Sequence, residues 1–441
     1  MSETTNGNTS TDATTVGNYF VSNYPPYSYW NPESVDQALG VLDTPPAAGV
    51  PFGLYIHIPF CRKRCRFCYF KVYTDNESSE ITRYLEGVAK ELTIYADKAA
   101  VAGRKPKFIY FGGGTPSYIS TQQLSALVDS IQPLFPWDAA EEIAFECEPG
   151  TITKHKLEIL RDIGVTRLSL GIENFSDPIL EVNGRAHGAK EIDRAYDFAR
   201  EVGFPQINID LISGMVGETD ANWEECIRKA IALDLDSITI YQMELPQNTV
   251  ISKEMRIDGK PAPVADWTTK RNWTRYAFAE FEKAGYTLTS GYTAVKDPAA
   301  AKFLYRDLLW SGADMLGIGV SSFGHLQGVH YQNEHHMHAY LDSVEAGEIP
   351  IRRALRTTEE ERMIREFLLQ MKKGRVDKPY FQSKFGVDLQ NRFGRGLEAL
   401  QREGRVKIDD ESVTLTREGL LRVDELLHQF FLPQHRPAQA A

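Results

Sequence analysis

The sequence predicts an α/β protein built on an open parallel sheet of six βα units. Two observations predict it. Six short apolar, β-prone runs alternate with helical patterns between residues 51 and 242, and such alternation gives parallel strands joined by right-handed crossovers. Six units are also two short of the eight that close a barrel.

The elements follow in order. Residues 1 to about 16 are rich in Thr, Ser, Asn and Gly, a composition expected to stay disordered. Residues 18–33, NYFVSNYPPYSYWNPE, are dense in aromatics and proline. They predict an arm packed across the main domain, or covering a substrate mouth. Strands are expected at 54–58, 108–111, 142–147, 166–171, 206–212 and 237–242. Helices are expected at 79–98, 121–134, 154–162, 189–202 and 219–233. The first helix carries Ile81, Tyr84, Leu85, Val88, Ala89 and Leu92 on one 3.6-period stripe. Thr121 begins a helix-start pattern and Thr219 is placed to cap.

A Trp-rich helical stretch, 260–286, holds Trp267 and Trp273, and a Gly-punctuated region follows at 312–328. From about Thr357 the character changes. Helices at 359–371, 378–385 and 390–403 precede a hairpin (406–408 with 413–415) and a last helix at 420–431. That order is winged-helix-like, and on a catalytic domain it is expected to pack and cover substrate rather than bind DNA. The expected division is 1–50 tail and arm, 51–335 partial barrel, 336–441 C-terminal helical domain.

Composition narrows the function. A net charge of −11 argues against general nucleic-acid binding. No apolar run reaches the roughly 18 residues of a membrane span. The polar N-terminus lacks a secretory pattern. Five cysteines, three of them clustered, fit a reducing cytoplasm.

The cluster is Cys61, Cys65 and Cys68, spaced C-x3-C-x2-C in a loop that Pro59 opens after the first strand. Three thiolates cannot all pair with one another, and they are one short of the four ligands of a closed zinc or iron–sulfur site. The simplest reading is a [4Fe–4S] cluster with one open iron, and a zinc knuckle is the plain alternative. Cys147 and Cys226 read as structural.

YIHIPFC at 55–61, followed by CRFC at 65–68, resembles the radical S-adenosylmethionine (SAM) superfamily. The branch is that of oxygen-independent coproporphyrinogen III oxidases and their relatives, and it uses the same six-unit partial barrel. The resemblance implies that Cys61, Cys65 and Cys68 hold the cluster. Its open iron would chelate SAM, and one electron would cleave SAM to a 5'-deoxyadenosyl radical. Tyr55 and Phe67, which frame the cysteines, fall among the cofactor-binding residues. Gly112-Gly113-Gly114-Thr115-Pro116-Ser117 matches the segment that binds the SAM amino group. As plain structure it would be a tight turn. Glu146 would accept the ribose hydroxyls. Glu173, Arg185, Asp210 and Gln242 fall on SAM-contacting positions, as does the segment 317–323 ending in Phe323, and two SAM molecules are implied. A Glu173–Arg185 ion pair is the plain structural expectation for those two.

Two departures bear on the reaction. Glu173 stands where the family has Gln. Phe70 stands where the true oxidase has a fourth cysteine. These favour a class C-type methyl or methylene transferase acting on a planar or lipophilic substrate. The alternatives are porphyrinogen-type oxidation, with a tetrapyrrole substrate, and heme carriage by a chaperone. Either enzyme would need a one-electron donor such as flavodoxin or ferredoxin.

Overall fold

The structure is a computed structural model that describes residues 20–258 and 263–436. The expected disordered tail and the first two residues of the arm lie outside the described residues. Six strands follow one another in parallel register: β1 (Phe52–Ile58), β2 (Phe108–Gly113), β3 (Glu142–Cys147), β4 (Arg167–Glu173), β5 (Gln206–Ser213) and β6 (Ser237–Gln242). They are buried on both faces, so their apolar residues run almost continuously. Among the described residues the sheet does not close into a barrel.

Six further strands extend it: β7 (Thr287–Leu288), β8 (Thr293–Val295), β9 (Asp314–Ile318), β10 (Phe323–Leu326), β11 (Val329–Asn333) and β12 (Ile351–Arg356). The order is β12-β11-β10-β9-β1-β2-β3-β4-β5-β6-β8-β7, with β9 parallel to β1. Sequence reasoning missed these strands because their buried positions are often polar. All five residues of β11, VHYQN, are buried, and their side chains are accommodated by hydrogen bonding that only the fold supplies.

Helix ends differ in ways local chemistry explains. The helix begins at Thr121 as expected and runs to Ile131, with Ser120 as its cap, accepting from Gln123 N–H in a capping box. That helix stops before Pro133 and ends in a 3₁₀ turn, Gln132–Leu134. Thr219 does cap its helix, accepting from Asn222 N–H at 3.3 Å. The Trp-rich helix is shorter than expected, Trp267–Lys283, with Asp266 as its cap. The single last helix expected at 420–431 is broken into Arg417–Leu421 and Val423–Leu427, parted at Arg422, whose φ of −117° leaves the helical region.

A second, smaller core gathers Phe367, Phe381, Phe393, Leu397, Val413 and Phe430. Its sheet has three strands rather than two: β13 (Arg375–Asp377) pairs with β15 (Ser412–Leu415), which pairs with β14 (Val406–Ile408). The N-terminal arm ties this core to the large sheet. Tyr24 is buried within it, Val21 N–H donates to Asp424 at 2.8 Å, and Asn31 bridges to Ala354 of β12.

One buried carboxylate fixes the helix Ser78–Ala96 to the sheet. Glu91 accepts from Gly319 N–H at 2.7 Å, and from Tyr340 Oη and Asn333 Nδ2, both at 2.6 Å. Glu91→Ala leaves the buried Gly319 N–H and Tyr340 hydroxyl without this acceptor, while Asn333 Nδ2 keeps Gly319 O at 3.1 Å, and should destabilise the protein by about 2 kcal/mol or more. A urea titration followed by far-UV dichroism checks it. Among the described residues no helix is long and apolar enough to cross a membrane.

Candidate functional site

The cysteine loop hangs from the C-terminal end of β1 by backbone bonds. Cys61 N–H donates to Tyr73 O (3.0 Å), Tyr73 N–H to Pro59 O (2.9 Å) and Cys68 N–H to Cys65 O (3.1 Å). The glycine turn after β2 is stitched beside it: Gly114 N–H reaches Ile58 O and Thr115 N–H reaches Phe60 O, both at 2.8 Å. The turn needs its glycines. Gly113 has φ +118°, and a Cβ there would stand 2.6 Å from the His57 ring.

All five cysteines are unpaired. Side-chain donors reach two of the three loop sulfurs, and the Phe70 backbone donates to the third, Cys68. Thr115 Oγ1 lies 3.3 Å from Cys61 Sγ, and Arg185 Nη1 lies 3.1 Å from Cys65 Sγ. Donors of this kind suit thiolates, the form that binds iron. Burial pushes the bare Cys61 thiol up to about 12 and Cys68 to about 11, so metal loading would release protons. Among the described residues no three His, Cys, Asp or Glu side chains converge on a single ion. A cubane takes one thiolate on each of three separate irons, so the donor set fits it. Cys147 and Cys226 are buried in the core.

Polar side chains alternate along one face of the sheet, two residues apart, as strand geometry demands. Glu146 Oε1 accepts from Tyr110 Oη at 2.6 Å, and its Oε2 from Gly113 N–H at 3.2 Å. Burial, the largest cause, pushes its carboxyl up to about 7, and the Asp210 and Glu173 charges push the same way. Asp210 accepts from Ser169 Oγ at 2.8 Å and Asn208 Nδ2 at 3.1 Å. Glu173 sits on a register shift of β4 with φ +67°, and its carboxylate is 3.6 Å from Arg185 Nη1. The expected Glu173–Arg185 pair is present. Arg185 Nη2 also donates to Gly171 O at 2.7 Å. Arg185 therefore links β4, Glu173 and a cysteine sulfur.

Tyr55 is half-buried on the same face. Its ring stacks on Tyr110 at 5.9 Å and its hydroxyl shares a hydrogen bond with His57 Nδ1. Phe67 packs on the cluster of Ile179, Ile212, Met215 and Met243. Gln242 closes β6 and lines a narrow cavity with Trp267, Tyr292 and Asp424, and its Oε1 is buried without a partner. Phe323 is gathered elsewhere: its ring meets Tyr27 at 5.4 Å and Trp30 at 5.6 Å, both on the arm. Sequence reasoning missed Tyr110, Ser169 and Asn208. The period-2 polarity of RLSLG and QINID carries that information.

Known proteins match along the chain. The radical SAM superfamily pattern matches residues 55–230, and the HemN C-terminal domain matches 357–422. The heme chaperone HemW of Bacillus subtilis is 30% identical over 85% of this chain and 98% of its own length. An oxygen-independent coproporphyrinogen III oxidase of Helicobacter pylori is 27% identical over 86% of each chain. The solved coproporphyrinogen III oxidase (HemN) of Escherichia coli superposes with a TM-score of 0.81 at 23% identity. That superposition covers 93% of this chain and 96% of that one, and it establishes the shared fold. Together with the cysteine loop and the glycine turn, these matches show that the chain belongs to the radical SAM superfamily, in the family that includes the oxygen-independent coproporphyrinogen III oxidases and HemW.

Proposed function

We propose that the chain is a radical SAM enzyme that abstracts hydrogen from a tetrapyrrole-type small molecule, in the manner of the oxygen-independent coproporphyrinogen III oxidases. The carrying observation is the buried polar set of Glu146, Glu173, Arg185 and Asp210 beside the cysteine loop. Buried acceptors of this kind suit the hydroxyls of a bound nucleoside, which the radical chemistry uses. The family's cofactors are a [4Fe–4S] cluster and SAM, which together supply a one-electron cleavage to a 5'-deoxyadenosyl radical when a donor such as flavodoxin or ferredoxin reduces them.

The chain's own residues divide the remaining work. Cys61, Cys65 and Cys68 would hold the three anchored irons. Gly112 to Thr115 would bring backbone close to the SAM amino group, with Tyr55 and Phe67 flanking. Glu146 would accept the ribose hydroxyls, since a carboxylate can accept both. Glu173, Arg185 and Asp210 would contact a SAM molecule, with the family's second SAM beside the same set. Gln242, by contrast, lines a separate narrow cavity, and Phe323 packs on the arm. A cytoplasmic, reducing setting suits five unpaired thiols.

One pH dependence follows from Glu146. Burial pushes its folded carboxyl up to about 7, and the ionised form, with both oxygens able to accept, holds hydroxyl donors more strongly than the protonated one. SAM binding should therefore tighten as pH rises, by about tenfold from pH 6 to pH 8. Equilibrium dialysis of the reconstituted protein measures it. Glu146→Gln should flatten the profile, and a step that survives this change belongs to Glu173 or Asp210, whose carboxyls burial also pushes up.

The test of function is anaerobic turnover of coproporphyrinogen III with SAM and a strong reductant. Formation of 5'-deoxyadenosine coupled to loss of the porphyrinogen is expected. Tight stoichiometric heme binding with no SAM cleavage would sink the enzyme reading. Heme carriage is the second reading, because Phe70 replaces the oxidase's fourth cysteine and the 30% identical relative bears that name. Methyl or methylene transfer, the reaction that the sequence departures favoured, draws no support from these relatives' names. It would be recognised by S-adenosylhomocysteine among the products.

A further inference from the structure

The site above uses only the polar side chains near the C-terminal ends of the strands. The same face is also polar at the opposite end. Arg167 opens β4 and Gln206 opens β5, directly paired in register. With Thr293 of β8 and the segment 298–307 they enclose a cavity of about 70 Å³. A water needs roughly 10–15 Å³ of such space, so the cavity takes a handful of waters or one compact ion. It is too small for a nucleotide or a tetrapyrrole.

The lining is cationic and carries donors without acceptors. Arg306 is 7% exposed and Gln206 8%, yet Arg306 Nη1 and Gln206 Nε2 have no hydrogen-bond partner. The Arg167 and Arg306 guanidinium groups stand 4.4 and 5.6 Å from the centre of the same ring, Phe303. Burial lowers the pKa of Arg167, and the Arg306 charge pushes the same way. Lys302 adds a third positive charge. Against these, Asp307 takes Arg306 Nε and Nη2 at 3.0 and 2.9 Å. The nearby Glu142 carboxylate accepts from the backbone N–H groups of Leu304 and Tyr305 at 2.9 and 3.0 Å. The sum is positive, and both orphaned groups are donors. A cation would add to the repulsion. An oxyanion would accept from Arg306 Nη1, the guanidinium nitrogen that Asp307 leaves unpaired, and from the Gln206 amide.

We infer that this cavity, at the end of the sheet remote from the cysteines, binds a small oxyanion of phosphate or carboxylate type. The test is calorimetric titration of inorganic phosphate into the full-length, cluster-reconstituted chain saturated with SAM, at constant ionic strength. One saturable equivalent is expected, weakened at least tenfold in Gln206→Leu and in Arg306→Gln. Parallel titrations with sulfate and acetate distinguish a tetrahedral from a planar oxyanion. Gln206→Leu removes a donor and no charge, so it decides the matter if Arg306→Gln does not fold. Absence of saturable binding for all three anions, or unchanged binding in the variants, would leave the cavity to water and overturn the inference.

Discussion

Cys65→Ala is expected to abolish cluster assembly and SAM cleavage together, with 5'-deoxyadenosine falling to background. The sulfur of Cys65 is where loop and sheet meet, because Arg185 donates to it at 3.1 Å while lying 3.6 Å from Glu173. Removing the sulfur removes one of the three proposed cluster anchors. It also leaves Arg185 with Glu173 and the Gly171 carbonyl alone. Arg185→Met is the informative comparison. It deletes the donor but keeps the ligand, so it should cost about 10–100-fold, the usual effect of a group that supports a metal ligand. Iron and sulfide content together with deoxyadenosine yield separate the two. Full cluster content in Cys65→Ala would remove this cysteine from the ligand set.

The second large effect is expected from a single methyl group. In Gly114→Ala the new Cβ would stand 2.8 Å from the Pro59 carbonyl carbon and 3.0 Å from Cys61 Sγ. Neither neighbour is the free end of a flexible chain. One is backbone and the other is a proposed cluster ligand, so the cysteine loop itself must shift. SAM affinity should fall at least about tenfold, equivalent to about 1.4 kcal/mol, with reduced iron loading. Gly40→Ala is the control. Gly40 lies in the helix Val35–Leu42 with nothing within 4 Å of the added carbon, and the change should be neutral or stabilise by about 0.5–1 kcal/mol. Equal SAM binding in wild type and Gly114→Ala would show that the turn does not approach the cofactor.

Much of the fold was legible. The six parallel strands and their helices announce themselves by period, because strands buried on both faces read as apolar runs and helices covering them read as stripes. β3 and the helices Lys154–Asp162 and Ala189–Val202 have the expected bounds. The strands β7 to β13 were not legible, since their short or polar runs make sense only against neighbours distant in sequence. Buried His330 shows why. It is satisfied by Tyr24 O at 3.1 Å and stacks on Trp30, both some 300 positions away.

By itself, the sequence determined the cysteine spacing, the glycine turn, the parallel α/β architecture and the family. These are local patterns: ligand spacing, backbone freedom and hydrophobic period are written in consecutive residues. The tertiary structure alone decided which polar groups share a face. It put Tyr110 on Glu146, Ser169 on Asp210 and Arg185 on Cys65, and it gave Glu173 a left-handed backbone at a shift in strand register. It also drew Phe323 to the arm and left two buried donors without partners on residues that line a cavity at the far end of the sheet. Such pairings depend on inter-strand register and on chain crossings, and no local pattern encodes either.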